Sequence, residues 1–299
     1  IAGLVEGASE GAGLGNKFLA TIREVDAIVQ VIRCFENDDI IHELGSVDPL
    51  RDIEIINSEL ILADISAMDK RLQSRSKKAK SGDKEAKAEV SLIEKLLPHL
   101  NEGNPALTLE MSDEERELLS DFFLLSSKKS IFACNVSENE LADALTNPDS
   151  HDMVAKVRKY ASETQGAEAI VLSAQIEEEL SELEPEDAAE FLSDMGISGS
   201  GAGELIKGVY SLLGLRTYLT TGVQETRAWT ITAGDKAPVA AGVIHTDFEK
   251  QFIRAEVIHY DDYVKHKTVG AAREAGVLRA EGKEYEVKDG DVINFLTGA

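Results

Sequence analysis

The residues from Asn135 to Glu138 place an amide and a carboxylate directly after the apolar run Ile131–Cys134. Such a run indicates a buried strand, and polar groups at this spacing after a strand can read a nucleotide base. An aspartate at the last position would receive two hydrogen bonds from one edge of guanine. Because the longer Glu138 cannot keep that geometry, the four residues predict a base site that does not favour guanine.

The same spacing is found in P-loop GTPases, where Asn-Lys-x-Asp recognises the base. Here Val136 replaces the lysine and Glu138 replaces the aspartate. The motif therefore predicts a GTPase-like fold that no longer prefers GTP. Ser173-Ala174 follows a second apolar run and lies 38 residues after Asn135, where GTPase folds carry a Ser-Ala pair against the base. Helix capping by Ser173 is the competing interpretation.

Two further positions are candidates for phosphate chemistry. Gly3 and Leu4 match the end of the switch motif Asp-x-x-Gly, whose aspartate would fall before Ile1. The Gly3 amide could then sense a γ-phosphate, while Leu4 stands where Ras-like enzymes carry the glutamine that orients water. His42 lies in a polar stretch and could position water at neutral pH. A loop histidine without a catalytic role is the alternative.

Two glycine-rich stretches do not qualify as phosphate loops. In Gly11–Lys17, Asn16 separates the last glycine from the lysine, whereas a Walker A loop needs Gly-Lys-Ser or Gly-Lys-Thr. This stretch is interpreted as a flexible switch-region loop. Gly199–Gly203 lacks the preceding strand that a dinucleotide fingerprint requires, and it is interpreted as a connector.

The composition excludes several classes of protein. The 299 residues carry a net charge of −24 and are 43% hydrophobic, without an apolar run of membrane-spanning length. We therefore expect a soluble protein of about two domains that binds neither membranes nor DNA. Cys34 and Cys134 are too few for a disulfide framework and predict reduced core residues in the cytoplasm. Because the chain starts with Ile1 inside a motif, we expect it to be a fragment.

Helical periodicity dominates the region after the first strand. Apolar residues recur at spacings of three and four between 61 and 72 and between 90 and 100, with a break at Ser81–Asp83. This pattern predicts an antiparallel helical hairpin packed along an apolar seam. Ser112–Glu115 has the pattern of a capping box and predicts the start of a third helix.

The tip of this hairpin is basic. Residues 70–87 contain eight basic and two acidic residues, a net charge of +6 on an acidic chain. Lys77, Lys78 and Lys80 are therefore candidate contacts for the phosphates of RNA or the ribosome. An ordinary solvated hairpin is the alternative.

Strands that alternate with helices predict an α/β sheet, interrupted by the hairpin. From about Arg216 the pattern changes to short strands rich in Thr, Val and Ile, which predicts a small α+β domain. We assign residues 1–56 and 127–207 to the α/β domain, 57–126 to the helical insertion and 214–299 to the α+β domain.

Together these motifs resemble the Obg-like ATPase family, also called YchF, over essentially the whole chain. The resemblance is carried by six segments: Ile1–Val5, Gly13–Leu19, Ile22–Ala27, Arg33–Glu36, Asn135–Glu138 and His245–Lys250. It implies a P-loop G domain interrupted by a helical coiled-coil arm and followed by a TGS domain of β-grasp type.

The resemblance also implies slow hydrolysis of ATP in preference to GTP, Mg²⁺ as a cofactor, and association with the ribosome. It implies that Asn135 contacts the adenine edge, that Val136 lies against the base, and that Ser173-Ala174 closes the pocket. His42 corresponds to a mobile-loop histidine linked to hydrolysis. The Walker A loop and the ligands of Mg²⁺ are expected upstream of residue 1, so the chain alone is expected to be inactive.

Two functions from different classes follow from these observations. The first is an ATPase switch whose ATP-bound state orders residues 1–45. The second is an RNA- or ribosome-docking adaptor that uses the basic tip and the C-terminal domain, with nucleotide only regulatory. The sequence leaves the oligomeric state open.

Overall fold

The computed structural model describes residues 14–222 and 225–298. The chain divides between Val209 and Tyr210 into two compact units. The segments predicted as the α/β domain and the helical insertion lie in the first unit. The second unit contains the predicted domain of residues 214–299. The boundaries drawn inside the first unit stay predictions.

The first unit contains one parallel sheet, built from the apolar runs that the sequence predicts as strands. Its strands are β1 (Ala27–Arg33), β2 (Lys129–Asn135) and β3 (Ala169–Leu172), in the order β1-β2-β3. The central strand β2 is buried from Ser130 to Cys134, as expected where both faces of a parallel strand are covered.

Helices make up most of the remainder of the first unit. Two short 3₁₀ helices, Ala106–Thr108 and Pro148–Ser150, lie between them. In chain order the α-helices are α1 (Leu14–Glu24), α2 (Pro49–Lys80), α3 (Lys84–Asn101), α4 (Asp113–Ser120), α5 (Glu138–Thr146), α6 (Asp152–Gln165), α7 (Ala174–Ser181), α8 (Pro185–Asp194) and α9 (Gly201–Leu213).

Helices α2 and α3 form the predicted hairpin, which we call the arm. Asp48 starts α2, since its side chain accepts a hydrogen bond from the Arg51 amide and Pro49 occupies the first helical position. Gly82 closes the turn with φ of +99°, a conformation that residues with a side chain rarely adopt. The predicted seam is confirmed, because Met68 and Ile93 are among the residues buried along it.

Two sequence expectations about helix starts have different outcomes. The capping box is confirmed, since the Ser112 hydroxyl accepts from the Glu115 amide and the Glu115 carboxylate accepts from the Ser112 amide. The interpretation of Gly199–Gly203 as a connector is wrong in its second half. Helix α9 begins at Gly201, where the missing side chain allows the helix to lie against Leu172.

The second unit is a mixed sheet with short helices, which confirms the predicted α+β class. The strands are β4 (Leu215–Thr221), β5 (Thr226–Thr232), β6 (Phe252–His259), β7 (Arg279–Glu281) and β8 (Asp291–Thr297). Neighbouring strands follow the order β5-β4-β8-β6-β7; β4 and β8 pair in parallel, and the other neighbours are antiparallel. The helices are α10 (Ala237–Ile244), α11 (Thr246–Lys250), α12 (Tyr260–His266) and α13 (Val269–Glu274).

Tyr218 is the centre of the second unit's core. Its side chain is fully buried, its hydroxyl donates to the Ala240 carbonyl at 2.9 Å, and its ring meets Phe295 edge to face. Burial raises the pKa of the Tyr218 phenol. Tyr218 therefore connects α10 to the sheet through its hydrogen bond to Ala240 and its ring contact with Phe295.

Candidate functional site

Asn135 lies at the carboxyl end of β2, and Ala174 begins α7 just after β3. The two strands pair so that Asn135 stands opposite Leu172, which brings the predicted site residues to one edge of the sheet. The Ala174 amide donates to Asn135 Oδ1 at 2.8 Å. Because a backbone amide can only donate, this bond assigns the amide oxygen to α7 and leaves the Nδ2 group for a ligand.

Ser173 occupies the residue before α7 but does not cap the helix with its side chain. It is 1% exposed, and its hydroxyl has no hydrogen-bond partner in the part of the chain that the structure describes. A buried hydroxyl without a partner carries a free-energy cost. The capping interpretation is therefore wrong for the Ser173 hydroxyl.

Glu138 is the first residue of α5 and faces the start of α7. Gln175 Nε2 donates to its Oε2 at 3.4 Å. Glu138 is half-buried, and its neighbour Ser137 donates to Glu140. The carboxylate thus stands beside Asn135 and is partly restrained by α7.

Val136 is oriented differently from these polar residues. Its side chain is 1% exposed and packs in the core of the sheet, while its amide donates to the Leu172 carbonyl at 2.9 Å. Its observed contacts are those of a core residue. That Val136 lies against a base stays a prediction.

His42 lies in the loop between β1 and α2, with both ring nitrogens engaged. Nε2 is 3.0 Å from Asp52 Oδ2, and Nδ1 accepts from the Leu44 amide at 3.2 Å. Because Nδ1 accepts, the proton of a neutral ring resides on Nε2 and is donated to Asp52. In this arrangement neither nitrogen can accept a proton from water.

Arg33 fixes the loop that carries His42, a role that the sequence analysis did not assign to it. Its guanidinium donates to three loop carbonyls, those of Phe35, Asn37 and Ile40. Since Arg33 pairs with Asn135 in the sheet register, the loop begins at the same sheet edge as the base-site residues. An arginine directly after an apolar run was the signal that could have identified it.

Comparison with known proteins places these features in a family. The family model YchF-GTPase_C, described as a protein of unknown function (DUF933), matches residues 215–297. The ribosome-binding ATPase YchF of Bacillus subtilis is 50% identical over 295 residues, which cover 99% of this chain and 79% of that protein. The chain belongs to the YchF family.

Solved structures agree with this assignment. The YchF GTPase of Schizosaccharomyces pombe matches with a TM-score of 0.80 and 38% identity, covering 99% of this chain and 78% of that one. A GTP-binding protein of Pyrococcus horikoshii matches with a TM-score of 0.57 and 20% identity over 94% of this chain and 81% of that one, which shows a shared fold. The predicted family resemblance and α/β fold class are thereby confirmed.

The remaining predicted residues of this YchF family member lie elsewhere. Gly3 and Leu4 fall outside the described residues. Lys77, Lys78 and Lys80 are exposed in the last turn of α2, at the tip of the arm. In the described ranges, no group of three or more His, Cys, Asp or Glu could hold a metal, and no helix is long and apolar enough to cross a bilayer.

Proposed function

We propose that this YchF family member binds ATP in preference to GTP, hydrolyses it slowly and acts as a ribosome-associated switch in the cytoplasm. The observation that carries the proposal is the bond from the Ala174 amide to Asn135 Oδ1. This bond joins the loops after β2 and β3. It leaves the Asn135 Nδ2 group as a donor for a base, beside the buried hydroxyl of Ser173.

The preference for adenine rests on what the site offers to each base. Guanine presents adjacent donors on its Watson–Crick edge, which suit a carboxylate, whereas adenine presents a donor beside an acceptor. Glu138 is longer than the aspartate of a guanine site, and its Oε2 already accepts from Gln175. A donor such as Asn135 Nδ2 is complementary to a ring-nitrogen acceptor of adenine.

ATP with Mg²⁺ would supply the phosphoryl group that is transferred to water. In the protein, Nδ1 of His42 accepts from the Leu44 amide and Nε2 contacts Asp52. A change in the loop that breaks the Leu44 contact would expose Nδ1 as an acceptor for a water proton. His42 and Gly3 remain our candidates for the hydrolytic step.

Calorimetry on the full-length protein tests the base preference. We expect ATP to bind more tightly than GTP, and Asn135→Ala to weaken ATP binding by about 1–3 kcal/mol, the cost of a lost buried hydrogen bond. Asn101→Ala is the matched control, because Asn101 donates only to a carbonyl of its own arm helix. Tighter binding of GTP would refute the adenine assignment.

A second variant separates ligand contact from scaffold. Asn135→Asp keeps an oxygen for the Ala174 amide but removes the donor, so it should lower ATP affinity while leaving thermal stability near that of the wild type. Normal ATP affinity in Asn135→Asp would place the Nδ2 group outside the site.

Docking to the ribosome or RNA through the arm is the alternative function, with nucleotide only regulatory. Two observations support it: relatives are named ribosome-binding ATPases, and Lys77, Lys78 and Lys80 have no ion pair among the described residues. Cosedimentation with ribosomes across a salt series should show a steep loss of binding, and reversal of the three lysines should flatten it. The control reverses three exposed lysines outside the arm, Lys156, Lys159 and Lys207. Equal binding by both triple variants would count against the tip.

A further inference from the structure

The segment of residues 123–128, which leads from α4 into β2, is bound by the arm; we call it the junction segment. Asp64 of α2 is fully buried and accepts from the Leu125 amide, the Ser126 amide and the Ser126 hydroxyl at 2.7–2.9 Å. Ser126 in turn accepts from the amides of Ala106 and Leu107, just beyond α3. The middle of α2 and the residues that follow α3 therefore both bind the junction segment.

Helix α1 contacts the same segment through its last turn. Arg23 Nη1 donates to the Phe123 carbonyl at 2.8 Å and lies 3.6 Å from Asp64 Oδ1. Lys128 Nζ donates to the Arg23 carbonyl at 3.1 Å, a favourable place for a cation at a helix C-terminus. Burial raises the pKa of Asp64; the hydrogen bonds from Leu125 and Ser126 oppose this rise most, and the charge of Arg23 adds a smaller opposing contribution.

Apolar packing joins the same elements. Leu19 and Ile22 of α1 lie in one cluster with Leu60 and Ala63 of α2 and with Leu125 of the junction segment. A movement of α1 is therefore transmitted to α2 by direct contact, since packed interfaces of this kind shift between discrete arrangements.

Phe123 of the junction segment has an unfavourable backbone conformation. Its φ is +50°, a conformation that costs a bulky residue free energy, and its side chain is 59% exposed. The carbonyl that Arg23 holds belongs to this residue. If Arg23 withdraws, Phe123 can return to an ordinary backbone conformation, so the strained state depends on the Arg23 contact.

We propose that Arg23 is a positioning residue that couples α1 to the arm. We call the region where Asp64 binds the junction segment the arm root. With Arg23 bound to the Phe123 carbonyl and to Asp64 the arm root is closed, and without Arg23 it opens. Helix α1 begins at Leu14, inside the stretch Gly11–Lys17 that the sequence analysis interpreted as a flexible switch-region loop, so that interpretation is wrong from Leu14 onward. The helix still belongs to residues 1–45, the segment predicted to be ordered by ATP. The coupling to nucleotide therefore rests on the proposed function, whereas the mechanical link between α1 and the arm does not.

Hydrogen exchange of the full-length protein, followed by mass spectrometry with and without ATP, tests this link. In the absence of nucleotide, Arg23→Gln should speed exchange at residues 123–128 by about tenfold, because the root opens locally. ATP should change the exchange of arm peptides in the wild type, and Arg23→Gln should remove most of that change. Arg158→Gln is the control, since Arg158 pairs with Asp149 on the surface and not with α1 or the junction segment.

Arg23→Lys separates coupling from folding, because it keeps a cation beside Asp64 and should retain at least half of the nucleotide response. ATP affinity, measured by calorimetry, should be the same in both Arg23 variants. If the wild type does not bind ATP, the proposed function is refuted, but the mechanical link between α1 and the arm is not. Unchanged exchange at residues 123–128 in folded Arg23→Gln would overturn the link itself. The coupling would be overturned if Arg23→Gln responds to ATP as strongly as the wild type does. It would also be overturned if the wild type binds ATP and the exchange of its arm peptides does not change.

Discussion

Glu89 links the two helices of the arm. It lies in α3 with a side chain 1% exposed; its Oε2 accepts from Arg71 Nε at 2.8 Å and forms an ion pair with Arg75 Nε at 3.0 Å, both in α2. Arg71 also donates to the Asp121 carbonyl and stacks over Phe122, just after α4. One carboxylate thus joins the two helices of the arm, and we predict that Glu89→Gln opens it.

The expected magnitude follows from the exposure of the partners. A hydrogen bond to a charged group contributes about 1.5–3 kcal/mol, and breaking a fully buried ion pair costs about 3–5 kcal/mol. Arg71 and Arg75 are 27% and 29% exposed, so both can recover part of their hydration. A glutamine also keeps one acceptor oxygen. We therefore expect a cost of about 2–3 kcal/mol, which corresponds to roughly 30- to 150-fold faster exchange.

Hydrogen exchange of the α3 amides measures this cost directly, because it reports local opening of the arm separately from global unfolding. Glu94→Gln is the control: Glu94 is exposed on the same helix and undergoes the same chemical change. If α3 exchanges at the same rate in both variants, the buried carboxylate does not hold the arm together and the reasoning is refuted.

Two further predictions concern packing elsewhere. Tyr218→Phe leaves a buried carbonyl of α10 without its donor and should destabilise the second unit by about 1–2 kcal/mol. Urea unfolding followed by the fluorescence of Trp229, the single tryptophan, reports this unit, and an unchanged midpoint would contradict the prediction. Gly201→Ala would place a Cβ 2.5 Å from Leu172 Cβ and should cost about 1–3 kcal/mol, whereas Gly199→Ala meets nothing within 4 Å. Thermal unfolding by circular dichroism should therefore separate the two alanine variants, and equal melting temperatures would contradict the clash.

The fold was predictable where one stretch of sequence determines its own environment. Continuous apolar runs predicted the positions of β1, β2 and β3. Burial on both faces holds for β2 from Ser130 to Cys134, but it is wrong for β1, where Val29 and Val31 are exposed. The capping box at Ser112 was predictable because it closes within four residues. The close approach of α9 to β3 at Gly201 was not, because it depends on a residue 29 positions earlier in the chain.

The candidate site was predictable by residue type but not by contact. Motif spacing identified Asn135 and Ser173, yet the bond from the Ala174 amide to Asn135 depends on the pairing of β2 with β3. The charge of the arm tip illustrates the same limit. A window of residues 70–87 counts Arg71 and Arg75 as free cations, although Glu89, just beyond that window, binds both. The unpaired positive charge of the tip is therefore carried by lysines.

The rigidity of the arm and the link at its root depend on each other. From Asp64 to Lys80 the helix rises about 24 Å, so a rotation of about 10° at the root displaces the tip by about 4 Å. A displacement of that size can bring lysines to a phosphate or withdraw them, but only if the arm moves as one body. Glu89 of α3 lies between the root and the tip and binds Arg71 and Arg75 of α2, so we expect it to keep the two helices from sliding apart. Loss of Glu89 should therefore weaken the nucleotide response at the tip even when the Arg23 contact at the root is intact.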